Sequence, residues 1–218
     1  KDPARSAWLK DSADNTLENV IKNEKITVLI GTSGQYGCFT EQVVRAVHQN
    51  TDRPMILPLS NPTANCEALP EDIFAWTNGQ ALVATGSPFA PVEHGGSTFH
   101  IGQCNNVFVF PGVGLGIIAS GAKEVPPSFF TAAAKAVSDY VTEEAMAKGE
   151  LVPPVTELQN VSLKVAQAVG ETAINANLGR LCAFSDFQHN NDPERLRELI
   201  VNMRWQPEYL PLIRDTQE

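Results

Sequence analysis

The chain has 218 residues, a formal net charge of −9, 43% hydrophobic residues and 19% charged residues. That length suits one or two domains with a sizeable core, and no apolar run reaches the roughly 20 residues of a membrane span. The acidic balance, without any Lys/Arg cluster, excludes the basic face that a nucleic-acid backbone demands.

Residues 1–24 are polar, carry no apolar signal region, and are expected to hold one short helix around Leu17–Ile21. Ile26–Ile30 is a β-branched run ended by Gly31 and reads as a strand. A glycine-rich turn, Gly31-x-x-Gly34-x-x-Gly37, leads to Thr40, which can cap a helix with Val43, Val44 and Val47 as its apolar stripe. Met55–Leu59 reads as a second strand, closed by Ser60-Asn61-Pro62. Pro70-Glu71-Asp72 opens a helix with proline first and acids in the first turn, and Asn78-Gly79 closes it. Ala81–Thr85 is the third strand, residues 90–103 an irregular loop with a short hairpin, and Val107–Phe110 the fourth strand. Strands alternating with helices of about ten residues predict βαβ units and a parallel, Rossmann-like α/β sheet. Beyond Pro111 the pattern turns helical. Helices are expected from Pro126-Pro127-Ser128, over Thr142–Lys148, along Leu158, Val161, Val165 and Val169, and from Asp192-Pro193-Glu194. Trp205, Pro207 and Tyr209 suggest a docking tail.

Chemistry-bearing residues are sparse. Cys38, Cys66, Cys104 and Cys182 form no Cys-x-x-Cys pair, and the four histidines form no metal-binding pair. Reduced thiols of a cytoplasmic protein are the plain reading. Glu67, Glu71-Asp72 and Glu143-Glu144 fit exposed helix starts better than a buried acid/base pair. Backbone amides of the Gly31–Gly37 turn can receive a phosphate, although the spacing departs from Gly-x-Gly-x-x-Gly and by itself favours a plain strand-to-helix turn. Gly112-x-Gly114-x-Gly116 reads as close packing of a helix against the sheet. Asn61 and Asn105 stand where apolar strands meet turns, the place where open α/β sheets bind ligands. An uncharged amide there can grip a carboxylate, a hydroxyl or a carboxamide. Asn-Pro and Asn-Asn are also ordinary turn signals.

Four motifs stand in order: Ile30-Gly31-x-x-Gly34; Leu59-Ser60-Asn61-Pro62-Thr63; Thr85-Gly86-Ser87-Pro88-Phe89; and Gly102-Gln103-x-Asn105-Asn106-Val107-Phe108-Val109-Phe110-Pro111-Gly112. Together with Leu151-Val152-Pro153-Pro154 they resemble the C-terminal part of malic enzymes, over essentially the whole chain. Cys104 departs from the glycine that many members carry. The resemblance implies oxidative decarboxylation of L-malate to pyruvate and CO2 with NAD, or NADP, and Mg2+ or Mn2+. It implies that Asn61 contacts malate and the nicotinamide end of the cofactor, that Asn105 contacts malate (Asn106 if the register slips by one), and that Gly31 and Gly34 lie at the cofactor.

The family's catalytic Tyr and Lys, its substrate Arg, its acidic metal ligands and its primary cofactor glycines are expected upstream of the matching region. This chain is therefore expected to be a C-terminal fragment, inactive alone, with no metal ligands of its own. Residues 1–104 would be the later part of the NAD(P)-binding domain, 105–178 a returning segment of the catalytic α/β domain, and 179–218 a tail. A sheet missing its first units leaves an open edge, so a homo-oligomer is expected. The alternative is a non-catalytic nucleotide-binding or interaction module.

Overall fold

The computed structural model of the chain describes residues 16–179, 193–205 and 209. The helices are α1 (Leu17–Glu24), α2 (Glu41–Asn50), α3 (Pro70–Trp76), α4 (Phe110–Ser120), α5 (Pro127–Ser138), α6 (Glu143–Ala147), α7 (Leu158–Asn175) and α8 (Pro193–Met203). The strands are β1 (Val28–Gly31), β2 (Met55–Pro58), β3 (Leu82–Thr85), β4 (Val92–His94), β5 (Ser97–Phe99) and β6 (Gly102–Gln103). Strands β1-β2-β3-β6 form one sheet with parallel pairing throughout, and β4-β5 form an antiparallel hairpin. Gly31 stands opposite Pro58, and Thr85 opposite Gln103, so the carboxyl ends of all four strands come to one rim.

Two compact units divide the chain: Lys1–Phe108 with Val137–Leu158, and Val109–Ala136 with Gln159–Glu218. The first contains the sheet. Helix α2 forms because Thr40 accepts the Val43 N–H at its N-terminus while Val43, Val44, Ala46 and Val47 recur on one face. Those side chains pack with Leu29, Ile56, Ile73, Phe74 and Val83 into the core. Each such valine contributes about 1.5–3 kcal/mol by leaving water. Only one face of β1 is covered: Leu29 and Gly31 are buried, whereas Val28 is 45% and Ile30 58% exposed.

In the second unit, Gly112 and Gly116 of α4 face α7. A Cβ on Gly112 would lie 2.5 Å from the Ser162 carbonyl oxygen, and one on Gly116 2.6 Å from that of Ala166. The glycines thus admit a helix, where close packing against the sheet was expected. Ala119, Ala166, Ile174, Leu196 and Ile200 form a core shared by α4, α7 and α8.

Three further expectations are corrected. Val107–Phe110 is not a strand. Asn106–Phe108 is a 3-10 turn, and α4 starts at Phe110 with Pro111 in its first turn. The apolar residues fit a pleated strand, but the Asn105 side chain accepts the Val107 N–H at 3.0 Å and bends the chain there. The fourth sheet strand is β6, two residues long and weakly apolar. Trp205 and Tyr209 do not dock: they are 81% and 103% exposed. Pro207 and Cys182 lie outside the described residues. Glu67 is the third correction, and it belongs to the strand rim.

Candidate functional site at the strand rim

Past β1 the chain turns through residues 32–39 into α2. Gly34 and Gly37 adopt φ of +67° and +69°, a left-handed conformation that costs residues with a Cβ about 1–2 kcal/mol. Nothing lies within 4 Å of a Cβ built on either, so their role is backbone conformation. The turn is nonetheless tied down from beneath. Gly37 N–H donates to the Cys66 carbonyl at 3.1 Å, and Phe39 N–H donates to that of Glu67 at 2.9 Å.

Glu67 is fully buried, contrary to its expected place at an exposed helix start. Its Oε1 accepts from Ser33 N–H at 2.8 Å, Ser33 Oγ at 3.0 Å and Ser60 Oγ at 2.5 Å, while Oε2 accepts from Ser60 N–H at 3.3 Å. Ser60 Oγ in turn accepts from Gly34 N–H at 2.9 Å. Burial pushes the carboxyl up, but the hydrogen bonds from Ser60 and Ser33 outweigh it and hold Glu67 below the usual carboxylate range. Gly31 makes room for this carboxylate: a Cβ there would lie 2.6 Å from Glu67 Cδ. Glu67 stands between Cys66 and Ala68, both small, apolar and buried, and those neighbours are the signal that could have placed it in the interior.

Asn61 follows β2 and is exposed, and its bond to Pro62 is cis. Ser87 Oγ donates to its Oδ1 at 2.5 Å. Ser87 is placed by the turn after β3, where Thr85 Oγ1 donates to the Ser87 carbonyl at 2.8 Å. Gly86 permits the approach of the two strand ends, because a Cβ there would stand 2.1 Å from the Leu59 carbonyl oxygen. The next strand end is tied in the same way. Gln103 Nε2 donates to the Gly86 carbonyl at 3.2 Å, and Cys104 N–H donates to that of Thr85 at 2.8 Å.

Asn105 follows two residues after β6 and is half-buried, and Asn106 beside it is exposed. Among the described residues, Asn61 and Asn105 share one arrangement. Each Oδ1 is occupied by a protein donor, Ser87 Oγ or Val107 N–H, so a further hydrogen bond from either amide is one that Nδ2 donates. Two amides so fixed suit an acceptor-rich ligand such as a carboxylate. Gly31, by contrast, is buried beneath the turn. A separate cavity of about 400 Å³ is lined by Pro88, Phe89, His100, Gln103, Glu150 and Val152 among others, and by none of Gly31, Gly34, Asn61 or Asn105.

Cys66 is buried and Cys104 half-buried, and burial raises both thiols. Among the described residues, no group of three or more His, Cys, Asp or Glu side chains could hold a metal ion. No described helix is long and apolar enough to cross a membrane.

Known proteins match the chain over most of its length. The family model described as malic enzyme, NAD binding domain, matches residues 3–174. The NAD-dependent malic enzyme of Sodalis glossinidius is 43% identical over 94% of this chain and 34% of its own length. That of Shewanella sp. strain MR-4 is 46% identical over 94% of this chain and 35% of its own. The chain thus spans about a third of the length of these curated relatives. The crystal structure of the malic enzyme from Pyrococcus horikoshii superposes with a TM-score of 0.61 at 25% identity, over 87% of this chain and 39% of that one. The Entamoeba histolytica malic enzyme, at 18% identity and a TM-score of 0.63 over 86% of this chain and 40% of its own, shares the fold. A parallel sheet with this rim, the family match over residues 3–174 and these identities lead to one conclusion: the chain belongs to the malic enzyme family, over its NAD-binding domain.

Proposed function

We propose that this chain is the part of a malic enzyme that presents the strand rim to NAD and L-malate. The complete protein would oxidise L-malate with NAD, or with NADP, and release pyruvate and CO2. The observation that carries this reading is the paired setting of Asn61 and Asn105, each with its carbonyl oxygen engaged and its Nδ2 free to donate. Those donors match the carboxylate and hydroxyl oxygens of malate, and Asn61 also suits the carboxamide oxygen of a nicotinamide. Bound NAD supplies the acceptor for the hydride that leaves malate C2. The chain's own residues hold and orient. Ser87 fixes the Asn61 amide and Val107 fixes that of Asn105. The turn carrying Gly31 and Gly34 would line the cofactor side through its backbone shape, since its Ser33, Gly34 and Gly37 N–H groups are already bonded to Glu67, Ser60 and Cys66.

Among the described residues no cluster of side chains could hold the Mg2+ or Mn2+ that the resemblance implies, so its ligands would come from elsewhere in the complete protein. Residues 1–104 would then be the later part of the NAD(P)-binding domain, 105–178 the return into the catalytic domain and 179–218 a tail. The exposed Val28 and Ile30 on edge strand β1 favour a covering partner in the complete protein, from its own chain or from a second copy. The test is direct. The complete polypeptide with L-malate, NAD and Mn2+ should form pyruvate and NADH in equal amounts, and residues 1–218 alone should form neither. NADH accumulating with oxaloacetate in place of pyruvate, or no reduction by the complete polypeptide, would reject the reading.

A further inference from the structure

The buried carboxylate of Glu67 stands outside the contacts assigned to Asn61, Asn105, Gly31 and Gly34, yet it joins their supports. Its two oxygens accept four hydrogen bonds, two from Ser33 and two from Ser60. Ser33 lies in the glycine-rich turn after β1, and Ser60 immediately precedes Asn61 after β2. The Ser60 hydroxyl relays the connection to Gly34 N–H at 2.9 Å. Each donor to Glu67 is thereby fixed in direction, and Gly31 leaves the space that the carboxylate fills. A core glutamate serving stability alone would need partners, but not partners divided between two adjacent strand ends at a ligand rim.

We infer that Glu67 is a positioning residue: by gripping Ser33 and Ser60 together, it sets the distance between the glycine-rich turn and Asn61, and so shapes the seat of the cofactor. The inference rests on the proposed function for the identity of the ligand. It assigns Glu67 no contact with substrate and no proton transfer. Its effect should appear in cofactor affinity more than in the rate at saturation, because a turn displaced from Asn61 can still be drawn into place by high NAD.

The experiment uses the complete enzyme, with Glu67→Gln, Glu67→Asp and Ser33→Ala. Glu67→Gln keeps the shape but faces donors with an amide. It should raise KM for NAD about ten- to a hundredfold, with kcat falling less, as loss of hydrogen bonds to a charged acceptor would require. Hydrogen exchange of the peptide spanning residues 32–37 should accelerate in the same variant. Glu67→Asp, which keeps the charge, should recover part of the NAD affinity. Ser33 is exposed, so Ser33→Ala should fold normally and still raise KM for NAD by a smaller factor, on the order of three- to tenfold. Wild-type enzyme that does not reduce NAD with malate rejects the proposed function, and exchange over residues 32–37 still reads the clamp. Active wild type with unchanged KM for NAD in Glu67→Gln and Ser33→Ala overturns the positioning role. A lowered melting temperature in Glu67→Gln with normal NAD kinetics in the surviving enzyme overturns it equally, since it leaves Glu67 a stability role alone.

Discussion

Two glycine triads, one repeating every three residues and one every two, do opposite work in this molecule. Gly34 and Gly37 stand in open space with φ near +70°, and the chain needs them for a backbone conformation. Gly112 and Gly116 sit in an ordinary helix with no room for a methyl group, and the chain needs them for closeness to α7. Gly31 and Gly114, members of the same two triads, reverse the roles. Gly31 is crowded by Glu67, whereas Gly114 has nothing within 4 Å. A glycine pattern therefore states that something is constrained, and only the surroundings say whether it is torsion or distance.

The largest stability loss is expected in α4. Gly112→Ala or Gly116→Ala places a methyl group against a backbone carbonyl and a valine of α7, which cannot rotate away as a flexible side chain would. Each should cost about 1–3 kcal/mol by overpacking, read as an earlier denaturation midpoint. A neutral result in both would mean that α4 and α7 are not in contact as described. Next comes Gly34→Ala, which meets no atom but forces a Cβ residue into the left-handed region, for about 1–2 kcal/mol. Replacing Gly34 by Asn, which tolerates that region better, should cost less than Ala; equal costs would contradict a torsional origin.

The Glu67 clamp sharpens the contrast through pH. Its carboxyl is buried, which raises it, and is hydrogen-bonded by Ser60 and Ser33, which lower it further than burial raises it. Such a group contributes stability that is complete above its ordinary value of 4.5 and is lost as pH falls through the lowered folded value. The melting-temperature difference between wild type and Glu67→Gln should therefore be greatest near neutrality and shrink below about pH 4.5. A difference that grows on acidification would reverse the sign and reject the clamp. The smallest effect is a gain. Gly114→Ala adds a methyl group to a helix where nothing obstructs it, and should stabilise by about 0.5–1 kcal/mol.

Much of this architecture was legible because it is local. Thr40 as a cap, the Val43–Val44–Val47 stripe, Pro70 at a helix start and the short hairpin within residues 90–103 all follow from neighbours a few positions apart. What escaped depends on distant partners. Glu67 precedes Pro70-Glu71-Asp72 and looks like another helix-start acid, but its partner Ser33 is 34 residues away. Val107–Phe110 is the exception, because its partner is local: it has strand composition, yet the Asn105 side chain two residues earlier accepts the Val107 N–H and the stretch forms a 3-10 turn leading into α4. The Gly112 triad was legible as a packing device, while its partner was not, because α7 begins more than forty residues later. At the rim, the Asn residues were visible as turn formers at strand ends. The orientation of the Asn61 amide was not, since Ser87, 26 residues away, sets it.

The central claim is that those two amides serve ligands and not merely turns, and one set of measurements tests it most directly. Asn61→Ala and Asn105→Ala, made singly in the complete enzyme, should each lower kcat/KM for malate by about ten- to over a hundredfold, the worth of a hydrogen bond to a charged group in the transition state. Asn61→Ala should also raise KM for NAD, and Asn105→Ala should leave it near the wild-type value, with each melting temperature lowered only by the loss of one side-chain hydrogen bond, about 0.5–1.5 kcal/mol. Lowered melting temperatures with normal specificity constants in both variants would make Asn61 and Asn105 turn residues alone and contradict the site.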